Sequence, residues 1–292
     1  MIYDIRQTTT CAYASPIAHA RHVLRLTPIN RDGQRVQVAA LQIAPEPRHR
    51  REGQDFFGNR LTWIDIDERH ETLTVKLAAR VAVEPPAEPA ALATPAWEAV
   101  REEAFAMSDI GPLSPAHFLF PSRLVSLDPE IRDYTRKSFP AGRPVLDAAI
   151  ELIGRLKSDI AYEIGATTVT TTPPMAFAQR RGVCQDFAHI MISGLRGIGL
   201  PAAYVSGYLR TAPRGEEPRL QGADAMHAWV LVWCGSAAGW VGLDPTNAVP
   251  ASDEHVVLAI GRDYTDVAPM DGVIIGSGGQ QIGVSVSVTP VG

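Results

Sequence analysis

The feature that most constrains the fold is a proline-rich interruption, PPAEPAALATP, at residues 85–95. It holds four prolines in eleven residues. Proline removes a backbone donor and fixes φ, so such a run disfavours both a helix and a central strand. We therefore predict a linker over 85–95, an N-terminal domain over 1–84 and a second domain over 96–292.

The segment before the linker is predicted to be all-β. Residues 71–84 carry apolar side chains at alternate positions, including Leu73 and Val75, which is the period of a half-buried strand. The dipeptide Gly58-Asn59 stands between two strand-like runs and predicts a two-residue hairpin turn. Short strands joined by tight turns are typical of a small sandwich or barrel. Further strands are expected at residues 2–9, 22–27 and 36–45.

The segment after the linker begins with helices and continues with strands, an order that favours an α+β domain. Residues 144–160 form the clearest amphipathic helix, with Pro144 suited to its first turn, and residues 96–107 have helical composition. Residues 163–172 are expected to be extended. Strands are predicted at 201–210, 227–233, 239–245 and 281–290.

The net charge and the cysteine content indicate which partners and which cellular location to expect. The 292 residues carry a net charge of −5, which argues against nucleic acid or an anionic membrane as the main partner. Three cysteines are too few for a disulfide framework and indicate reduced thiols. We expect neither a secretory signal peptide nor a membrane-spanning segment, because the first residues include Asp4 and form no continuous apolar run, and no apolar stretch is long enough to cross a bilayer. We expect a cytoplasmic protein, and the sequence is compatible with a homo-oligomer.

The segment RRGVCQDFAHIMISGL, residues 180–195, places Cys184 where a glycine turn becomes an apolar helix. We expect Gly182 to take a positive φ there. The free N–H groups at a helix start favour a thiolate over a thiol and can stabilise an oxyanion. A lone cysteine is, however, more often core filler, so the segment alone leaves both interpretations open.

Two further residues stand at the ends of predicted strands. His227 begins HAWVLVW and Asp244 ends GWVGLD, and the two runs predict a hairpin that brings these side chains towards one edge. A cysteine nucleophile needs a base, and the base needs an orienting group. Taken singly, His227 is an ordinary histidine and Asp244 a turn-forming Asp-Pro.

At these residues the chain resembles the bacterial transglutaminase-like superfamily. Residues 1–84 resemble the N-terminal β region often attached to that family, and 118–125, FLFPSRLV, resembles a segment between the two. The motifs that carry the resemblance are GVCQDFAH (182–189), GLPAAYVSGYL (199–209), HAWV (227–230), GWVGLDPTN (239–247) and GRDYTDVAPMDGVIIGSG (261–278).

The resemblance implies a papain-like core with Cys184 as nucleophile, His227 as base and Asp244 as orienting group. The backbone N–H of Cys184 is the expected first oxyanion donor, and Tyr162 and Gln185 are candidates for the second. Met226, bulkier than the small residue frequent in the family, is a candidate for the cleft wall together with Trp229.

The expected reaction is cysteine-dependent hydrolysis of a peptide bond or a glutamine carboxamide through a thioester, without a cofactor. Transfer to an amine and a non-catalytic binding module remain alternatives. No metal site is expected, because the sequence has no HExxH motif and no paired cysteines.

The other marked residues have structural explanations. His189 is expected to pack or bond behind the site, and Asp186 to interact with the helix dipole. Cys11 and Cys234 are interpreted as structural. The basic run at Arg48, Arg50 and Arg51 is interpreted as a solvated loop.

Overall fold

The computed structural model of the chain describes residues 1–86, 93–211, 220–222 and 226–291. Most of the predicted linker, residues 87–92, lies outside the described residues. The first half of the chain is built from strands, and the second half combines helices with an antiparallel sheet.

Alternating burial organises the N-terminal strands. In the strand that ends at Val83, Leu73, Val75 and Leu77 are buried while Lys76 between them is exposed, which confirms the predicted alternation. The strands are β1 (Ile2–Ile17), β2 (His19–Leu24), β3 (Gln34–Ala44), β4 (His49–Gln54), β5 (Arg60–Ile66) and β6 (His70–Val83).

Two strands from the end of the chain complete this β region. They are β14 (Met270–Ile275) and β15 (Gln280–Pro290), and the two sheets have the orders β15-β1-β6-β3 and β14-β2-β5-β4. Ile5 and Val75 of the first sheet share one core with Leu24 and Ile64 of the second. The predicted small sandwich is therefore present.

The predicted domains, 1–84 and 96–292, do not account for β14 and β15, in which the end of the chain pairs with N-terminal strands. Hydrogen bonds join β15 to β1 from Tyr3↔Pro290 to Tyr13↔Gln280, and β14 to β2, so both strands belong to the sandwich rather than to the second domain. The alternating pattern predicted a strand within 281–290 but carries no information on its partner.

Two local predictions in this region differ from the structure. The hairpin at Gly58-Asn59 exists, but it joins β4 to β5 through a five-residue loop, 55–59, rather than a two-residue turn. The arginines at 50 and 51 lie in β4 and not in a loop, although they are exposed as expected.

The second half surrounds one buried helix, α5 (Cys184–Gly197), whose residues from Gln185 to Arg196 are all buried. One side of α5 packs on helices and the other on β9 and β10. The helices are α1 (Trp97–Phe105), α2 (Pro129–Arg136), α3 (Val145–Asp159), α4 (Pro173–Gln179), α5 and α6 (Tyr264–Val267), with a short 3-10 helix at Pro115–Phe118.

The main sheet of this half has the order β12-β11-β10-β9-β13. Its strands are β9 (Ala202–Leu209), β10 (His227–Trp233), β11 (Trp240–Asp244), β12 (Val249–Pro250) and β13 (His255–Gly261); β7 (Ala161–Tyr162) and β8 (Arg181–Gly182) form a separate parallel pair. The predicted helices at 96–107 and 144–160 and the predicted β10–β11 hairpin are present. Residues 163–172 form turns and irregular backbone instead of the expected extended segment.

The two halves share buried surface. Tyr208 of β9 and Val256 and Leu258 of β13 lie in the core of the sandwich. No helix in the described part of the chain is both long and apolar enough to cross a membrane.

Candidate active site

Helix α5 begins at Cys184, in a turn fixed by a buried carboxylate. Asp186 accepts the backbone N–H of Val183 at 2.8 Å and the hydroxyl of Thr167 at 2.6 Å. The expected role of Asp186 as a helix-dipole partner is therefore accompanied by capping hydrogen bonds. Cys184 itself is partly exposed, so its thiol stands at the open end of an otherwise buried helix.

The sequence predicted a positive φ at Gly182, and this prediction is wrong. The turn needs a glycine at this position because it leaves no space for a side chain. The left-handed residue is Arg180, with a φ of 55°. A Cβ on Gly182 would lie 2.6 Å from Asp186 Oδ2 and 2.7 Å from Asp186 Cβ. A side chain here would therefore displace the carboxylate that holds the start of α5.

The crowding makes a direct prediction for Gly182→Ala. We expect the free energy of unfolding in urea to fall by about 1–3 kcal/mol, which is the usual cost of overpacking. Gly154→Ala in α3 is the matched control, because a Cβ there meets no atom within 4 Å and alanine favours a helix. Equal stability of the two variants would contradict the assigned role of Asp186.

His227 and Asp244 form a buried pair at neighbouring strand ends. Nε2 of His227 lies 2.9 Å from Oδ2 of Asp244, and both side chains are fully buried. The second ring nitrogen, Nδ1, has no hydrogen-bond partner among the described polar side-chain contacts. Cys184 lies close enough to the imidazole to raise the pKa of His227. Since Nε2 is committed to Asp244, Nδ1 is the nitrogen available to the thiol.

The electrostatics of the pair favour an imidazolium beside a carboxylate. Burial disfavours the charged ring, but the charge and hydrogen bond of Asp244, together with Cys184, raise the pKa of His227 to about 10. Burial also disfavours the carboxylate, yet His227 and His255 hold the pKa of Asp244 well below its ordinary value. A protonated His227 is the form that stabilises an adjacent thiolate.

The carboxylate of Asp244 accepts hydrogen bonds from several donors in addition to His227. Oδ1 accepts the backbone N–H groups of Thr246 at 2.9 Å and Asn247 at 3.2 Å, which is the Asx turn expected of an Asp-Pro sequence. Oδ2 also accepts the amide of Asn247 at 2.7 Å and Nε2 of His255 at 3.4 Å. The turn-forming and the orienting interpretations of Asp244 are thus compatible.

Asn247 and His255 were missed by the sequence analysis. The sequence does contain a signal for Asn247. This residue ends the run GWVGLDPTN, and an asparagine three residues after an aspartate can close the same turn. The sequence around His255 does not indicate a role in the site, because a surface histidine can equally precede an apolar strand. Its contact with Asp244 depends on the placement of β13.

The two candidates for a second oxyanion donor differ in what their side chains contact. Tyr162 pairs with Gly182 in the β7–β8 ladder, and burial, reinforced by the charges of Cys184 and Asp244, raises its pKa to about 12. Its hydroxyl is therefore a neutral donor near the thiol. Gln185 is buried, and its side-chain amide donates to the carbonyl of Val169 at 3.1 Å.

The two predicted cleft-wall residues have different surroundings. Met226 packs against the sandwich core, with Sδ 3.8 Å from Nε2 of Gln7, because the sandwich covers this end of the sheet. Trp229 is 1% exposed and its ring stacks near the His227 imidazole, with centroids 6.2 Å apart. It borders a cavity of about 300 Å³ between the two halves of the chain.

The remaining marked residues lie outside this arrangement. His189 is buried behind the site and accepts the backbone N–H of Tyr264 at 3.2 Å, while burial lowers its pKa to about 4. Cys11 and Cys234 are buried and free. Among the described residues, a group spaced for a metal ion is His19, Asp65 and Asp67 in the sandwich, where Arg21 and Arg48 pair with the carboxylates.

Comparisons with known proteins identify the family of both parts of the chain. Residues 3–82 match the bacterial transglutaminase-like N-terminal region, and residues 132–245 match the transglutaminase-like superfamily. An uncharacterized protein of Mycobacterium tuberculosis is 36% identical over 295 residues, which cover 99% of this chain and 92% of that protein. A protein-glutamine gamma-glutamyltransferase of Pseudomonas aeruginosa is 36% identical over 86 residues, which are 29% of this chain and 13% of that protein.

The fold is also that of a solved structure. A protein of Cytophaga hutchinsonii, described as a "Putative Cysteine Protease", superposes with a TM-score of 0.75 at 23% identity, covering 100% of this chain and 92% of that chain. This likeness shows a shared mixed fold in which an all-β N-terminal region accompanies a papain-like, transglutaminase-like core.

Proposed function

Because the chain belongs to the transglutaminase-like superfamily, we propose that it is a cysteine-dependent enzyme that acts on a peptide or glutamine carboxamide through a thioester. The observation that carries the proposal is the His227–Asp244 pair, closed at 2.9 Å and buried, with Cys184 beside the imidazole at the start of a buried helix. Each of the three residues matches one part of a nucleophile, base and orienting group.

The proposed first step is attack of the Cys184 thiolate on the carbonyl carbon. The carbonyl oxygen gains negative charge, and the first-turn N–H of Cys184, which has no acceptor inside the helix, is one donor to it. Tyr162 is the second donor in this proposal. Collapse of the intermediate breaks the C–N bond, and the protonated His227 gives its proton to the departing amine.

The second step returns the enzyme to its starting state. His227, now neutral, takes a proton from water as the oxygen attacks the thioester, and the C–S bond breaks to release the acid and the thiolate. We favour water as the acceptor because it is abundant and no residue of the described site marks an amine-binding position. Transfer to an amine is the second candidate, supported by the similarity to the Pseudomonas aeruginosa protein-glutamine gamma-glutamyltransferase.

Mass spectrometry of products from a library of glutamine-containing peptides, with and without an added primary amine, tests this function. Hydrolysis of a side-chain amide converts glutamine to glutamate, proteolysis splits the chain, and transfer adds the amine. We expect hydrolysis products that disappear in Cys184→Ser. Amine adducts as the main product would favour the second candidate, and unchanged peptides would contradict both.

A thiol-reactive probe separates an enzyme from a binding module of the same fold. We expect iodoacetamide to label Cys184 faster at pH 7 than it labels an unactivated model thiol, because the imidazolium stabilises the thiolate. Labelling at the rate of an unactivated thiol, together with unchanged peptides, would favour the binding module.

The proposal also covers the cellular location and the partners of the protein. A net charge of −5 and a low cysteine content support a cytoplasmic protein that acts on a peptide or protein, with neither nucleic acid nor a membrane as its partner. No cofactor enters the proposed chemistry.

A further inference from the structure

A second imidazole is directed at the carboxylate of Asp244. His255 is 4% exposed and lies at the first position of β13. Its Nδ1 accepts the backbone N–H of Ser252 at 3.1 Å, so the ring proton of the neutral form is on Nε2. That Nε2 lies 3.4 Å from Oδ2 of Asp244, the same oxygen that His227 contacts.

The ring of His255 is held by packing as well as by hydrogen bonds. The Trp229 ring meets His255 edge-on, with centroids 5.2 Å apart, and stacks near His227 with centroids 6.2 Å apart. Asp244 and Trp229 therefore each contact both histidines. A shift of His255 would therefore displace the carboxylate of Asp244 directly. It would also displace the His227 imidazole, through Asp244 and through Trp229.

The strand that carries His255 is anchored by the N-terminal half. Gln34 accepts the backbone N–H of Val257 at 2.7 Å and donates to its carbonyl at 2.8 Å. Asn59 makes the same two contacts with Ile260, both at 2.7 Å. β13 is the last strand of its sheet, and both amides are buried. These two side chains satisfy edge groups that a further strand would otherwise pair.

We propose that His255 is a positioning residue for Asp244, and that the N-terminal sandwich sets its place through Gln34 and β13. The inference rests on the proposed function, because it concerns how the orienting carboxylate of that site is held. His255 acts through Asp244 and does not touch the reacting atoms. The sandwich thereby contributes to the reactivity of Cys184 without supplying a group to the chemistry.

Two matched variants of His255 test the first part. The amide of glutamine in His255→Gln reaches the place of Nε2 and keeps a donor to Asp244, whereas the shorter amide in His255→Asn ends near Nδ1 and does not reach it. The readout is the rate of iodoacetamide labelling of Cys184 at pH 7, resolved from Cys11 and Cys234 by peptide mass. We expect His255→Asn to slow labelling about tenfold and His255→Gln to restore most of it.

A double-mutant cycle distinguishes positioning from general loosening of the structure. If His255 acts through Asp244, His255→Asn changes the labelling rate in the wild-type background and leaves it unchanged in an Asp244→Asn background. An equal reduction in both backgrounds, or none in either, would overturn the proposal. Thermal unfolding confirms that each variant is folded at the assay temperature.

Gln34→Leu tests the contribution of the sandwich. We expect it to slow labelling of Cys184 by roughly threefold or more, with no further loss when it is combined with His255→Asn. Gln42→Leu is the matched control, since Gln42 is an exposed residue of the same strand, β3. Equal labelling in Gln34→Leu and Gln42→Leu would remove the sandwich from the proposal.

The wild-type labelling rate separates the two levels of inference. If wild-type Cys184 labels slowly and no peptide is converted, the proposed function fails. If wild-type Cys184 labels fast and all His255 variants match it, the function stands and His255 is only a packed residue.

Discussion

Replacement of Cys184 by serine is expected to lower kcat by about 10⁴-fold or more, because removal of a catalytic nucleophile typically eliminates nearly all of the rate enhancement. A hydroxyl is a far weaker acid than a thiol, so the neighbouring imidazolium cannot hold it in the ionised form. The measurement is the initial rate of product formation in the peptide assay at saturating substrate.

The serine variant should remain folded, because Cys184 is partly exposed and its replacement is nearly isosteric. Cys11→Ala is the control: Cys11 is a buried residue of the sandwich and should be dispensable for turnover. Turnover of Cys184→Ser within tenfold of the wild type would show that the sulfur is not the nucleophile.

Asp244→Asn is expected to lower kcat/KM by about 10⁴-fold, the scale of loss when the orienting carboxylate of a triad becomes an amide. Without the carboxylate charge, burial is opposed only by Cys184, so the pKa of His227 falls well below about 10. The active form needs the imidazolium, so the basic limb of the pH–rate profile should move from near pH 10 towards neutral pH.

The same charge pair predicts how stability depends on pH. The pKa of His227 in the folded protein lies above its unfolded value, so this group contributes its full stability below about pH 6.5. The contribution is lost as the pH rises through about 10. Between pH 7 and pH 10 the wild type should therefore lose more stability in urea titrations than Asp244→Asn does.

An exposed carboxylate supplies the comparison for this variant. Asp32→Asn, in a surface turn of the sandwich, should leave both the pH–rate profile and the pH dependence of stability unchanged. A basic limb that stays near pH 10 in Asp244→Asn would show that the carboxylate does not control the protonation of His227.

Much of the local structure could be predicted from the sequence because its signals are local. The alternation around Val75 reports a half-buried strand, and the run from Val145 to Asp159 reports a helix with one buried face. The hairpin of β10 and β11 follows from two apolar runs with a short connection, and it brings His227 to Asp244. The motifs that resemble the family then indicated which cysteine to consider.

The features that escaped the sequence depend on contacts between distant residues. Nothing in the alternating residues of β15 indicates that β1 is their partner, since a strand pattern is silent on pairing. Gly182 looked like a turn glycine, although its role is to leave room for Asp186. His255 meets Asp244 only because β13 is placed beside β9, a juxtaposition set by the tertiary fold.

The late return of the chain to β1 affects the order in which the protein can be made. As the polypeptide leaves the ribosome, β1 and β6 emerge early, whereas β15 is translated some 200 residues after β6. Until then one edge of β1 has no partner, and the exposed edge of a long strand invites wrong pairing. A chain that ends near Asp244 lacks β14 and β15, which complete the two sheets of the sandwich, so we expect it to aggregate rather than persist as a separate folded fragment.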